Sequence, residues 1–141
     1  MGAAIREFEF ASDWESVLDL WSHAGPGIQL SVSDQPDEIR KKLERDPDLF
    51  LVAQDGDQLV GTVLGGFDGR RGIVYHLAVR SDCRRQGIGQ ALMDELEVRL
   101  QAKGCLKYYL LVTHDNEEAL AFYKAQGSDI MPLYVLGKVI E

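Results

Sequence analysis

The sequence predicts an α/β domain: a mixed, mostly antiparallel central sheet with helices on both faces and one parallel strand–helix–strand crossover. Three observations predict it. Segments with β-like composition follow one another between Asp-Gly turns from residue 49 to residue 79. Beyond residue 80 helical stretches alternate with strands, the pattern of a crossover unit. The 141 residues are 45% hydrophobic and 27% charged, which suits one domain, residues 1–141, with a buried core.

Ala4 to Phe8 reads as a short first strand. Ser12 with Glu15 three residues on forms a capping box, after which Trp14, Val17, Leu18 and Trp21 recur at helical spacing until Gly25-Pro26-Gly27 stops the helix. Pro36 opens a second helix with Ile39 and Leu43 on one face, and Asp46-Pro47 ends it. Leu49 to Gln54 and Gln58 to Phe67 pair as a hairpin about Asp55-Gly56-Asp57. Gly65 and Gly66 predict a bulge there, or a close approach by another chain or a ligand.

Ile73 to Val79 is a nearly continuous apolar run, expected as a central strand buried on both faces, with Tyr75 and His76 on opposite faces by alternation. A third helix runs from near Gly87 to about Lys103, with Ile88, Leu92, Leu96 and Leu100 as its apolar stripe and Gly104 just beyond its end. Lys107 to Val112 is a strand parallel to the central one. Asn116 starts a fourth helix, with Glu117 and Glu118 in its first turn and Gly127 at its end. Ile130 to Val139 is strand-like, broken by Pro132 and Gly137, and is placed at the sheet edge.

Composition excludes several functions. No apolar run is long enough to cross a bilayer, and the N-terminus lacks a secretory pattern. Cys83 and Cys105 form no C-x-x-C pair, and His23, His76 and His114 lack metal-ligand spacing, so a reducing, cytoplasmic setting without a metal is expected. His114 falls in an exposed loop. A net charge of −8 speaks against nucleic acid as a partner. Yet Arg70, Arg71, Arg80, Arg84 and Arg85 face a single acid, Asp82, between residues 70 and 90, which points to a compact anion. Within that segment, Arg84-Arg85-Gln86-Gly87-Ile88-Gly89 follows a strand and opens a helix, where glycines allow a tight curl and the first amides of the helix have no intrahelical acceptor. Taken alone, the same pattern also fits an ordinary strand-to-helix turn.

Two blocks carry a family resemblance. Leu77-Ala78-Val79 leading to Arg84-x-x-Gly87-x-Gly89, and Asn116-x-x-Ala119-x-x-Phe122-Tyr123-x-x-x-Gly127, resemble the pyrophosphate loop and the following helix of the GCN5-related N-acetyltransferases (GNAT), with the look of the bacterial YpeA-like acetyltransferases. Their separation fits one helix plus one strand.

The resemblance implies the GNAT fold, acetyl-CoA as co-substrate and direct acetyl transfer to a primary amine of a small molecule or a protein. It implies that a bulge in the central strand frees the amide of Val79 to polarise the thioester carbonyl, with Leu77 and Ala78 beside the pantetheine. The amides of Gln86, Gly87, Ile88, Gly89 and Gln90 would hold the pyrophosphate, with Arg84 and Arg85 adding charge. Asn116 would cap its helix, bond the pantetheine, or both. Tyr123, on its spacing alone a core aromatic, matches the general acid for the departing thiolate.

Ile73 stands where some members carry a basic glutamate, so the base is unassigned, and Tyr75 and His76 are the nearest titratable groups. Ser128 replaces the aromatic that usually follows Gly127. Acceptor contacts are expected from Gly25 to Gln35, from Gly65 and Gly66, and beyond Ile130, in a monomer or homodimer. The alternative is a non-catalytic acyl-CoA-binding or regulatory module. A P-loop nucleotide binder lacks its Gly-Lys-Ser/Thr ending here.

Overall fold

Five strands, β1 (Ala4–Glu7), β2 (Phe50–Asp55), β3 (Gln58–Phe67), β4 (Gly72–Val79) and β5 (Tyr108–Leu110), lie across one sheet in chain order. The first four are antiparallel neighbours, and β5 joins β4 in parallel. This is a computed structural model that describes residues 2–24, 30–112, 114 and 116–140. Side-chain alternation then divides the core. Phe50 and Val52 face one layer with Val17, Leu20 and Trp21 of α1 (Phe10–Ser22) and Ile39 of α2 (Pro36–Arg45). Leu51 and Ala53 face the other with Leu92, Met93, Leu96 and Leu100 of α3 (Ile88–Ala102), joined by Tyr123 of α4 (Glu117–Ala125). The mixed sheet, the helices on both faces and the crossover β4–α3–β5 match the expectation from sequence.

The start of α1 departs from it. Ser12 lies inside the helix, which begins at Phe10 after an extended Glu9. Asp13, almost fully buried, outcompetes the hydroxyl: its Oδ2 accepts the Glu9 N–H at 2.8 Å, and the Arg6 guanidinium donates to both carboxylate oxygens at 2.7 and 2.9 Å. The Arg6 hydrogen bond holds the Asp13 carboxyl below the usual aspartate range. Its stabilising contribution is therefore complete above the ordinary aspartate value and is lost as pH falls through the depressed one. Asp13→Asn is expected to lower unfolding free energy by about 2 kcal/mol at pH 7. Urea denaturation at pH 7 and pH 3 should show the gap from wild type narrowing in acid.

One further expectation cannot be compared and four change. The Gly25-Pro26-Gly27 stop lies outside the described residues. The close approach at Gly65 is to α3, because a Cβ there would meet Leu96 Cδ1 at 2.7 Å. The strand expected over Lys107 to Val112 is limited to Tyr108–Leu110 and pairs only with Gly72, Ile73 and Val74. The carboxyl half of β4 is consequently open along that edge; nor is the strand buried on both faces, since Tyr75 is 40% exposed. Residues 130–140 form no strand and leave Leu133, Tyr134, Leu136 and Ile140 exposed. Pro132 removes a ladder donor, and the three-residue β5 offers little edge to pair with. Among the described residues no helix is long and apolar enough to cross a membrane, and no group of three His, Cys, Asp or Glu side chains is placed to hold a metal.

Candidate active site

The site begins with one extra residue in β4. Leu64 pairs with Tyr75 and Thr62 with Ala78, so two residues, His76 and Leu77, oppose Val63 alone. His76 takes the left-handed conformation, φ 47°. The bulge has two consequences. Because Tyr75 lies opposite Leu64 and His76 packs its ring 4.6 Å from Trp21, both side chains face the α1/α2 layer, contrary to simple alternation. The ladder phase also reverses beyond it. Arg80 N–H donates to Val60 at 2.8 Å, which makes Val79 and Gly61 a non-hydrogen-bonded pair and turns the Val79 N–H away from β3, toward the open side. A Thr62 hydroxyl that donates to the His76 carbonyl at 3.1 Å, and accepts from Trp21 Nε1 at 2.9 Å, pins the bulge in place.

Beyond β4 the chain passes a 3-10 turn (Ser81–Cys83) and curls into α3, with Arg85 at φ 65° and Gly87 at φ 81°. Among the described residues the N–H groups of Gly87, Ile88, Gly89 and Gln90 donate to no protein acceptor. With left-handed residues at the turn, these amides lie free at the positive end of α3, an arrangement suited to an anion. Arg84 is engaged within the chain. Its guanidinium donates to the carbonyls of Val79 at 3.3 Å and Ala24 at 3.1 Å, clamping the end of α1 to the end of β4.

Across the opening stands α4. Asn116 is its N-cap, Oδ1 accepting from Ala119 at 3.1 Å, which leaves the amide NH2 for a ligand. Tyr123 is 9% exposed and packs edge-on against Phe122 at 5.3 Å. Burial pushes its phenol up to about 12. The chain closes behind it as the Tyr123 carbonyl accepts from Gln126 and Ser128, so Ser128 serves the helix end despite its missing aromatic ring.

These elements enclose a cleft of about 900 Å³. Leu77, Ala78, Val79, Arg84, Arg85, Gly87, Ile88, Gly89, Gln90, Asn116 and Tyr123 line it, together with His76 and the exposed His114. Gln86, Tyr75, Gly65 and Gly66 do not line it. Gly65 and Gly66 are instead buried within β3. Cys83 does border the cleft, and burial, followed by the hydrogen bond to Asp82, pushes its thiol up, which opposes a nucleophilic role.

Three contributors escaped the sequence reading: Trp21, Thr62 and the buried Asp34, whose Oδ1 lies 2.8 Å from His76 Nε2. For Asp34 a local signal existed. Ser31 and Asp34 form a capping box around the 3-10 turn Val32–Asp34.

Comparison with known proteins gives a consistent result. Residues 14–127 match the family model described as the acetyltransferase (GNAT) family. An acetyltransferase of Pectobacterium atrosepticum is 40% identical over 134 residues, covering 95% of this chain and 93% of that protein. One of Yersinia enterocolitica is 39% identical with the same coverage. Among solved structures, Ard1 from Thermoplasma volcanium superposes with a TM-score of 0.74 at 26% identity, covering 93% of this chain and 85% of that one.

Proposed function

This chain belongs to the GNAT acetyltransferase family, and on that premise we propose that it moves an acetyl group from acetyl-CoA directly to a primary amine, with residues 1–141 acting as a single domain in the cytoplasm. One observation carries the reading: a single cleft brings together the unpaired amides of Gly87 to Gln90, the outward Val79 N–H and the Tyr123 phenol. Each meets a separate requirement. Bound acetyl-CoA supplies the activated acyl group, and the rest falls to the chain.

The α3 amides neutralise the pyrophosphate, with Arg85 adding charge from the same loop. Arg84 sets the spacing between β4 and α1 and contributes its field without a direct bond. The Val79 N–H donates to the carbonyl oxygen on which negative charge grows. The Asn116 amide, freed by the way it caps α4, meets the pantetheine arm beside Leu77 and Ala78. Tyr123 offers its proton to the departing sulfur. The protonated Cys83 thiol supports direct transfer without an enzyme-bound acyl group.

Release of CoA thiol in the presence of a panel of small primary amines and N-terminal peptides tests the reading. Acceptor-dependent release above the hydrolytic background is expected for at least one class. Tight acetyl-CoA binding without such release across the whole panel would reassign the chain as a binding module.

A further inference from the structure

The geometry points to His76, oriented by Asp34, as the base that takes the proton from the acceptor ammonium. This inference rests on the acyltransfer reading and supplies the group that the sequence left unassigned. An amine attacks only as the free base, so an acceptor that arrives as ammonium must first lose a proton inside the cleft.

His76 is suitably built for that task. Its Nε2 lies 2.8 Å from Asp34 Oδ1, and a carboxylate oxygen only accepts, so in the neutral imidazole Nε2 carries the hydrogen and Nδ1 holds the lone pair. Asp34 is itself held. Its Oδ2 accepts the Ser31 N–H at 2.9 Å, and its carboxyl is buried at the foot of the α1/α2 layer. Among the described residues Nδ1 has no hydrogen-bond partner, and His76 is one of the residues that line the cleft.

The bulge decides the position. It sets His76 three residues before Val79 on the same strand and turns its ring toward Trp21 of α1, away from the Tyr123 layer. It also holds a non-glycine residue at positive φ, a conformation of modest cost that the Trp21–Thr62 hydrogen bonds enforce. Around the imidazole, Asp34 comes from the 3-10 turn and Tyr75 from the same strand, while Trp21 of α1 and Thr62 of β3 bring no charge. Arg84 and Tyr123 share the cleft wall.

The step balances. His76 Nδ1 takes one proton from the ammonium, and the amine nitrogen forms a bond to the acyl carbon as the carbon–sulfur bond breaks. A second nitrogen proton is lost as sulfur gains one through Tyr123. His76 then returns its proton to solvent, so one amide, one thiol and one proton leave. Asp34 is a positioning residue, because it acts only through the imidazole.

The positive φ suggests the test variant. Glycine accepts that conformation without cost, so His76→Gly should fold, bind acetyl-CoA within about three-fold of wild type, and leave a hole the shape of an azole. Its kcat/KM for an accepted amine should fall about 100-fold. Added imidazole should restore much of the rate, more so as pH rises and imidazole becomes neutral, whereas pyrazole, of the same shape but scarcely basic, should not.

His76→Asn, which also tolerates positive φ, should show the same loss without rescue. Retention of acetylation within three-fold by either variant, or equal rescue by pyrazole, would overturn the assignment in favour of a packing role. A wild type that acetylates no amine would overturn the acyltransfer reading and this inference with it.

Discussion

Gly87→Val is expected to abolish measurable acetyl-CoA binding while leaving the fold in place. Gly87 caps α3 at φ 81°, and a Cβ built there meets nothing within 4 Å. The substitution therefore does not collide with protein. Its effect comes from two other sources. A β-branched residue in the left-handed region costs about 1–2 kcal/mol, so the loop shifts toward a conformation in which its amides no longer converge. The isopropyl group also occupies the open space in front of those amides, where the phosphate oxygens must come within hydrogen-bonding distance. Titration calorimetry should show at least a 100-fold weaker dissociation constant, with thermal unfolding lowered by only a few degrees. An affinity within three-fold of wild type would remove the loop from the pyrophosphate site. The smaller Gly87→Ala should fall between the two.

Tyr123→Phe is expected to lower kcat about 100-fold to 1,000-fold with acetyl-CoA affinity nearly unchanged. The ring keeps its edge-on contact with Phe122, and among the described residues the hydroxyl bonds no protein group, so stability should hold within about 1 kcal/mol. With the phenol pushed up to about 12, Tyr123 stays protonated across the neutral range and is a weaker acid than the thiol it serves. Its contribution is then a hydrogen bond that strengthens as charge builds on sulfur, with proton transfer completing late. Because that interaction develops in the transition state, kcat and kcat/KM should fall together. Any alkaline loss of activity from Tyr123 itself should begin only as pH approaches its raised value. An undiminished turnover would leave Tyr123 as a core aromatic.

The local geometry of the loop was legible because it depends on near neighbours. Gly87 at positive φ, unpaired amides at a helix start and Asn116 as an N-cap each depend on a few consecutive residues. The contacts of Arg84 were not legible, for the opposite reason. Its partners are carbonyls five and sixty residues away, and no pattern near Arg84 announces them. The base was hidden in the same way, since Asp34 and His76 are forty-two residues apart and meet only once the 3-10 turn settles on the sheet.

The sequence by itself determined the order of elements from β1 to α4, the crossover and the glycine turn into α3, because side-chain period and turn chemistry act over short distances along the chain. Tertiary structure alone decided what those elements do together. The bulge in β4 arises from pairing with β3, and only that pairing turns the Val79 N–H outward and brings His76 onto the Trp21 side. The cleft opens because β5 pairs with just three residues of β4 before the strands part. Hydrogen-bond phase and strand divergence belong to pairs of segments, so neither is written in either segment alone.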